Sequence, residues 1–428
     1  MNDFKRNPPI IEICMENAIC NMRCKYCFGG FDGNHNNHTG KVPEFNASLL
    51  DKALRYVSPS YRGGIKIWGG EPLANWETFK KVAEYARSKF PEANLILITN
   101  GSLLNKEKAK FLSEMRFHVN ISHDGAGQSL RGKDYLVAGT EQVDAIRYLK
   151  LNGSFSSFHM VIHRESCDLD KQIDYWTNVS ENILEFPFQV SWSIFRATDD
   201  WTDEFMPDMD KHNEFFDYTF GQMIDKYKGC LKSRVLFGFS TDQERAMRTF
   251  VFGQKAEYPC STFDSITVGL SGQLYRCVQD CERRSAGESS ELYAQLLDRK
   301  SFHLLPECEE CDVRDMCAGM CAILTDEQRK KNCANYQNFL RYMRDYLFSD
   351  RQRFELIARS MGAVPAEEAR ARMQMQQRQL NDHQVYYTDD GIKLEEHSVD
   401  ECSSGNTEKK CCKCEQEKDS VTTSDTEK

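Results

Sequence analysis

From Ile10 to about Ala197 the chain alternates short apolar runs with stretches of helical periodicity, and this alternation limits its possible folds more than any other feature. The candidate strands are Ile10 to Met15, Ile65 to Trp68, Leu95 to Thr99, Val119 to Ser122, Phe158 to His163 and Val190 to Phe195. Runs such as Leu95-Ile96-Leu97-Ile98 are apolar on both faces, as a parallel sheet covered by helices requires. Between strands the period changes. Asn75 is placed as an N-cap ahead of Phe79, Val82, Ala83, Ala86 and Phe90, and Pro91 ends that helix. Asn105 precedes Ala109, Leu112 and Met115 in the same way, and Thr140 precedes Val143, Ile146 and Leu149. Such alternation builds right-handed βαβ units. The fold class expected is therefore α/β, an incomplete barrel with six strand-helix units, a partial (β/α)6 TIM-like barrel, over residues 1–200.

Parallel α/β folds do their chemistry at the carboxyl ends of the strands, and the polar motifs fall there. Cys20, Cys24 and Cys27 follow the first candidate strand, Gly69-Gly70-Glu71-Pro72 the second, Thr99-Asn100-Gly101 the third and Ser122-His123-Asp124-Gly125 the fourth. A lone Gly-Gly-Glu-Pro is most often a plain turn. Its placement with the others is what gives it weight. The three cysteines of Cys20-Asn21-Met22-Arg23-Cys24-Lys25-Tyr26-Cys27 can converge on one soft metal centre. An iron-sulfur cube takes four thiolates, so a local triplet leaves one iron open to a small molecule. A zinc knuckle, or three unrelated thiols, is the plainer alternative.

The octapeptide, with an aromatic residue before its last cysteine, resembles the signature of radical S-adenosylmethionine (SAM) enzymes. In that family the open iron chelates the amino and carboxylate groups of SAM, and one electron then cleaves the sulfonium to a 5'-deoxyadenosyl radical. The resemblance extends over most of residues 10–200. It implies that Gly69 and Gly70 let the backbone approach the methionyl part of SAM, while Glu71 and nearby carbonyls accept from its ammonium. It further implies that Ser122 and Asp124 bond the ribose hydroxyls and that Tyr26 lies near the adenine. Arg131 either neutralises a carboxylate of SAM or substrate or is a solvated loop arginine.

A second pattern is more specific. Cys260 is followed after eleven residues by Gly272 and then, after four, by Cys277; later come Cys308-x2-Cys311-x5-Cys317-x3-Cys321 and Cys333. This resembles the SPASM domain, which in relatives that modify peptides and proteins holds two auxiliary 4Fe-4S clusters. That pattern assigns Cys308, Cys311, Cys317 and Cys333 to a distal cluster and Cys260, Cys277 and Cys321 to a nearer one, with paired zinc sites as the alternative. The nearer cluster lacks a fourth thiolate. Cys281 or Cys230 closes it, or its iron is open to a substrate group. Sulfatase-maturating relatives carry an aspartate directly after the cysteine equivalent to Cys277, where this chain has Val278, with Asp280 two residues on. Formylglycine formation is therefore not expected.

The remaining organisation is read as a helical bridge over 201–257, the SPASM domain over 258–335, C-terminal helices over 336–380 and a disordered acidic tail over 381–428. The tail has 13 acidic against 6 basic residues and so carries most of the net charge of -10. The rest is nearly balanced, which argues against a nucleic-acid surface. Eighteen cysteines without a signal-peptide core or a membrane span point to a reducing, cytoplasmic setting and to metal or catalytic thiols. Cys14 and Cys167 read as apolar fillers, His123 and His163 as hydrogen-bonded strand-end residues, and Phe31 to His38 as an ordinary loop. Cys402, Cys411, Cys412 and Cys414 in the tail offer thiols for zinc or iron delivery without forming a local set of four.

The resemblance implies an enzyme acting on a peptide or protein and drawing electrons from a flavodoxin- or ferredoxin-type reductant. The chain begins about ten residues before its first strand, so leader recognition is expected to need another protein or the C-terminal part. The same architecture acting on a small metabolite or RNA is the alternative enzyme class. An iron-sulfur electron carrier or zinc-stabilised binding module is the non-enzymatic one, and it leaves Gly69 to Pro72 and Ser122 to Asp124 without purpose.

Overall fold

The computed structural model describes residues 10–16, 19–27, 42–55, 57–195, 204–252, 265–275, 308–317, 326–361, 385–388 and 391–394. They fall in two units, Met1–Arg372 and Met373–Lys428. The first is built on a nine-stranded sheet in the order β7-β6-β5-β4-β3-β2-β1-β8-β9. Strands β1 (Ile10–Cys14), β2 (Gly64–Trp68), β3 (Asn94–Thr99), β4 (Phe117–Ser122), β5 (Phe155–Ile162) and β6 (Phe188–Ile194) are those read from the sequence, paired in parallel one after another. This is the partial barrel expected, but wider. Strand β7 (Val235–Phe239) continues it beyond β6, and β8 (Ser265–Gly269) pairs in parallel with the other edge of β1. Only β9 (Leu274–Tyr275) runs antiparallel.

Helices α1 (Ala47–Ala53), α2 (Trp76–Lys89), α3 (Lys106–Glu114), α4 (Glu141–Leu151) and α5 (Leu169–Asn178) connect the strands. Asn105 and Thr140 cap α3 and α4 through their side chains, accepting from Lys108 N and Val143 N. Asn75 stands at the start of α2 but makes no side-chain capping bond. Its carboxamide is replaced by Glu71, which caps the short 3-10 turn Pro72–Asn75 just before. The helices cover one face of the sheet: Phe79 of α2 packs on Phe117, and Trp176 of α5 on Phe158. The apolar residues of that face are fully buried. The other face is half-buried and largely polar, and hydrogen bonds run across it from Ser157 to Asn120 and from His159 to Ser191 and Ser193. Lys66 and Thr267 meet on Glu12 at its far end.

The segment read as a bridge is part of the barrel wall. Helix α6 (Met209–Lys228) ends at Gly229 in a left-handed cap and buries Phe215, Phe216 and Phe220. Phe215 meets Trp192 of β6, while Phe216 and Phe220 meet Phe239 of β7. Helix α7 (Thr241–Phe252) follows. The physical reason is that Val235-Leu236-Phe237-Gly238-Phe239 is an apolar run that would otherwise be exposed, and pairing on β6 buries it. Farther on, a turn holding Cys308 and Cys311 leads into α8 (Arg314–Cys317), and α9 (Asp326–Phe348) carries Cys333. Helix α10 (Arg351–Ser360) restarts after a break, capped by Asp350 on Gln352 N and Arg353 N. The C-terminal helices expected from residue 336 onward thus include the end of α9 and all of α10.

Cys14 is fully buried, as a filler would be, yet it is disulfide-bonded, and none of the other described cysteines is its partner. Cys167 is buried and donates to Arg164 O, in keeping with its expected role. The loop Phe31 to His38 and the stretch 363–380 lie outside the described residues. In the second unit Val385–Thr388 and Gly391–Leu394 pair as an antiparallel hairpin, so the reading of the tail as unstructured does not extend to these eight residues. Among the described residues no helix is long and apolar enough to cross a membrane.

His212 of α6 is wedged between Trp192 and Phe339, 5.3 and 5.0 Å from their ring centres, and no well-formed hydrogen bond reaches either ring nitrogen. Burial outweighs the neighbouring Asn213 carboxamide and pushes its pKa down from 6.5 to about 4. The unfolded chain thus binds the proton first as pH falls. The neutral ring's contribution is complete above pH 6.5 and is lost as pH falls through 6.5 to about 4, amounting to about 3 kcal/mol. Urea melts of wild type and His212→Phe across that range test this: the variant is expected to lose the corresponding part of the acid sensitivity.

Candidate functional site

The cysteine loop is tied to the strand ends by backbone bonds. Met15 N donates to Trp68 O at 2.7 Å, Glu71 N to Ile19 O at 3.1 Å and Lys25 N to Leu130 O at 2.9 Å. Within the loop Cys27 N donates to Cys24 O, and the Arg23 guanidinium covers the carbonyls of Cys20 and Met22. Cys24 is buried and Cys20 and Cys27 are half-buried. Burial pushes the Cys20 thiol up to about 11 and raises Cys24 as well, although the Arg131 guanidinium opposes this at both. Such thiols keep their protons until a positive centre takes the place of the proton. Asn100 Nδ2 lies 3.9 Å from Cys20 Sγ and 3.0 Å from Asn21 Oδ1.

Gly69 (φ 116°) and Gly70 (φ 46°) turn the chain out of β2 in a left-handed path. A Cβ at Gly69 would fall 2.6 Å from Met15 O, so the glycine is required where the end of β1 passes. Glu71 is fully buried. Its Oε1 accepts from Leu73 N and Thr99 Oγ1 and its Oε2 from Asn100 N, which pins the end of β2 to the end of β3. Burial raises its pKa against these three donors.

At the end of β4, Ser122 is half-buried and Asp124 fully buried. Asp124 Oδ1 accepts from Val161 N at 3.0 Å, and Oδ2 accepts from Tyr26 Oη and faces His163 Nε2 at 3.3 Å. Arg131 Nη1 lies 3.8 Å from Asp124 Oδ1 and 3.4 Å from Tyr26 Oη. Burial would raise the Asp124 pKa, but the Arg131 guanidinium, with His163 and Tyr26, brings it down to about 2. Arg131 is largely buried, and although burial alone would lower its pKa, the Asp124 carboxylate beside it keeps it charged, so it is no solvated loop residue. Tyr26 packs with Leu130, Phe195 and Phe205. His123 and His163 both have the partners expected of them, His123 facing Asp134 at 3.1 Å and accepting from Gly125 N.

Of the second cysteine set, Cys308, Cys311, Cys317 and Cys333 are described and half-buried, whereas Cys260, Cys277, Cys281 and Cys321 lie outside the described residues. Gly272 of that pattern makes the β8 to β9 turn at φ 79°, and a Cβ there would meet Leu49. Buried Glu16 accepts from Ser271 N and Oγ and from Tyr275 Oη, binding this turn to the start of the cysteine loop. Cys230 is exposed at the end of α6 and donates to Asp225 Oδ1 at 3.5 Å. Sequence reasoning placed Asn100 at a strand end but assigned it no role, and it missed Asn21, Glu16 and the polar face around His159. The alternating polar residues of β4 to β6 were the available signal.

Residues 17–169 match the family model described as the Radical SAM superfamily. The radical SAM cyclopropyl synthase TigE of Paramaledivibacter caminithermalis is 22% identical over 73% of this chain and 67% of its own. A cysteine-type anaerobic sulfatase-maturating enzyme of Clostridium perfringens is 24% identical over 76% of this chain and 93% of its own. The solved structure of native anSMEcpe with bound AdoMet and Cp18Cys peptide superposes with a TM-score of 0.58 at 18% identity, covering 83% of this chain and 99% of that one. It shares the fold.

Cys20, Cys24 and Cys27 supply soft thiols alone on one anchored loop, the donor chemistry that an iron-sulfur cube takes. Among the described residues no three Cys, His, Asp or Glu side chains come together as closely as a single ion needs. A cube instead spreads its thiolates over separate irons. Replacing Asp124 by Ala leaves Arg131 as a buried cation without its carboxylate and is expected to cost about 3 kcal/mol. Denaturant unfolding of the metal-free chain measures this independently of activity, and Asp124→Asn, which still accepts from Val161 N, is expected to lose less.

Proposed function

We propose that the chain is a radical SAM enzyme that modifies a peptide or protein, with Cys20, Cys24 and Cys27 holding a 4Fe-4S cluster whose fourth iron binds SAM. The observation that carries this is the fastening of the three-cysteine loop to the ends of β2 and β4, beside Gly69, Gly70 and Ser122. When bound, a cluster held by Cys20, Cys24 and Cys27 would supply one-electron reductive cleavage of SAM, and with it the means to remove a hydrogen atom from an unactivated substrate carbon.

The protein's part is binding, orientation and exclusion of water. The Gly69-Gly70 backbone and its carbonyls receive the methionyl group, and Ser122 faces the ribose. Asp124 acts from behind: with its oxygens engaged by Val161, Tyr26 and His163, it fixes Tyr26 and Arg131, leaving the guanidinium to face the SAM or substrate carboxylate. Tyr26, Leu130, Phe195 and Phe205 wall the adenine side against water. The polar face around His159, Ser191 and Ser193 offers hydrogen bonds to a peptide backbone. A relative with a peptide bound in its solved structure supports that choice of substrate, and Val278 after Cys277 argues against a formylglycine product.

Two auxiliary 4Fe-4S clusters complete the reading, the distal on Cys308, Cys311, Cys317 and Cys333, the nearer on Cys260, Cys277 and Cys321 with Cys281 as fourth ligand. They accept or relay electrons, and a flavodoxin- or ferredoxin-type reductant of the cytoplasm supplies the first one.

Anaerobic reconstitution followed by dithionite reduction is expected to yield 5'-deoxyadenosine from SAM. Cys24→Ala is expected to abolish it and to remove roughly four irons per chain. Zinc in place of iron, or no nucleoside product from the intact chain, overturns the reading. Cys281→Ala is expected to alter the nearer cluster's EPR signal while leaving SAM cleavage largely in place; an unchanged spectrum removes Cys281 from the ligand set.

A further inference from the structure

Helix α9 carries Cys333, Gln337 and Arg341 at intervals of four residues, which puts the three side chains on one face. Gln337 Nε2 lies 3.1 Å from Cys333 Sγ and 3.4 Å from Cys311 Sγ, within hydrogen-bond reach of both sulfurs. A carboxamide nitrogen has two hydrogens, so one side chain can serve both. Cys311 comes from a different element, the turn before α8, and the amide therefore bridges two separate parts of the chain.

The geometry is held one turn farther along α9. Arg341 forks Asp312, the residue after Cys311, with Nε at 3.0 and 3.1 Å and Nη2 at 2.7 Å. Arg344 adds Nη1 at 3.0 Å to the same carboxylate. Asp312, held by both arginines, thus clamps the turn against α9, and bidentate pairing sets the orientation of both.

We propose that Gln337 is a positioning residue for electron transfer, donating N–H bonds to two sulfur ligands of the distal cluster and thereby raising its reduction potential. The inference rests on the ligation by Cys308, Cys311, Cys317 and Cys333 given above. Reduction places added negative charge partly on the sulfurs, and donors aimed at them stabilise the reduced form over the oxidised one. The distal cluster is thereby biased toward accepting an electron. No atom is transferred in this step: one electron enters the cluster and the amide keeps its hydrogens.

The test is a dye-mediated potentiometric titration of the full anaerobic chain followed by EPR, in wild type, Gln337→Met, Gln337→Glu and Gln337→Lys. The distal signal is identified by its loss in Cys311→Ala. The midpoint is expected to fall in the Met variant, which has the length but no donor, to fall further in the Glu variant, and to be kept or raised in the Lys variant, with iron content unchanged. A glutamine that merely fills space would not rank the variants by donor and charge. Proton ENDOR on reduced wild type adds a check that needs no variant to fold: deuterium-exchangeable couplings near the distal cluster are expected. A midpoint that does not move in Met and Glu, or that falls equally in Met and Lys, overturns the proposal while the cluster stands. Equal iron in wild type and Cys311→Ala overturns the distal ligation itself, a result separate from the first.

Discussion

The carboxylate of Asp124 is the interaction on which the candidate site depends. It lies just past β4, yet it bonds the backbone of β5 through Val161, the end of the same strand through His163, the cysteine loop through Tyr26 and the 3-10 turn Gly125–Leu130 through its C-cap Arg131. An ionised carboxylate without solvent is costly unless a cation and donors surround it, and here they come from three separate parts of the chain: the end of β5, the cysteine loop and the turn after β4. The barrel must therefore be assembled before the loop that carries Cys20, Cys24 and Cys27 can settle. Position and charge are coupled: the same Arg131 that offsets Asp124 also bears on the Cys24 thiol.

Glu71 does at β2 what Asp124 does at β4. Both belong to motifs that sequence comparison would assign to direct contact with a ligand, and both spend their oxygens on the protein itself. On the function proposed above, the groups that meet the ligand are the backbone of Gly69 and Gly70, the hydroxyl of Ser122 and the guanidinium of Arg131. This division is physically sensible. Buried acids fix strand ends to within a fraction of an ångström, and small or backbone groups then meet the ligand with little entropy left to lose.

Much of the fold could be read from the chain. The six strands from Ile10 to Phe195 were legible because their apolar runs are short, bounded and separated by helices with Asn or Thr at the start. Strand β7 was not, because Val235 to Phe239 follows a long aromatic helix and carries no motif at its end. The role of α6 was missed for a related reason: its phenylalanines face a strand that had not been recognised. Arg131 was evenly balanced between solvent and site on sequence grounds, and its burial against Asp124 and Tyr26 decides the matter. Gln337 gave no signal at all, since only the fold of the turn before α8 onto α9 brings Cys311 to it.

By itself the sequence determined the period of each element, the run of motifs at the carboxyl ends of the strands and the supply of thiols, because these depend on local spacing and side-chain chemistry. Tertiary structure alone decided which of those polar groups hold the frame together, that Glu16 joins the turn at Gly272 to the cysteine loop, and which donors reach which sulfurs. The reason is that burial and hydrogen-bond partnership are properties of groups far apart in the chain, and no local spacing encodes them.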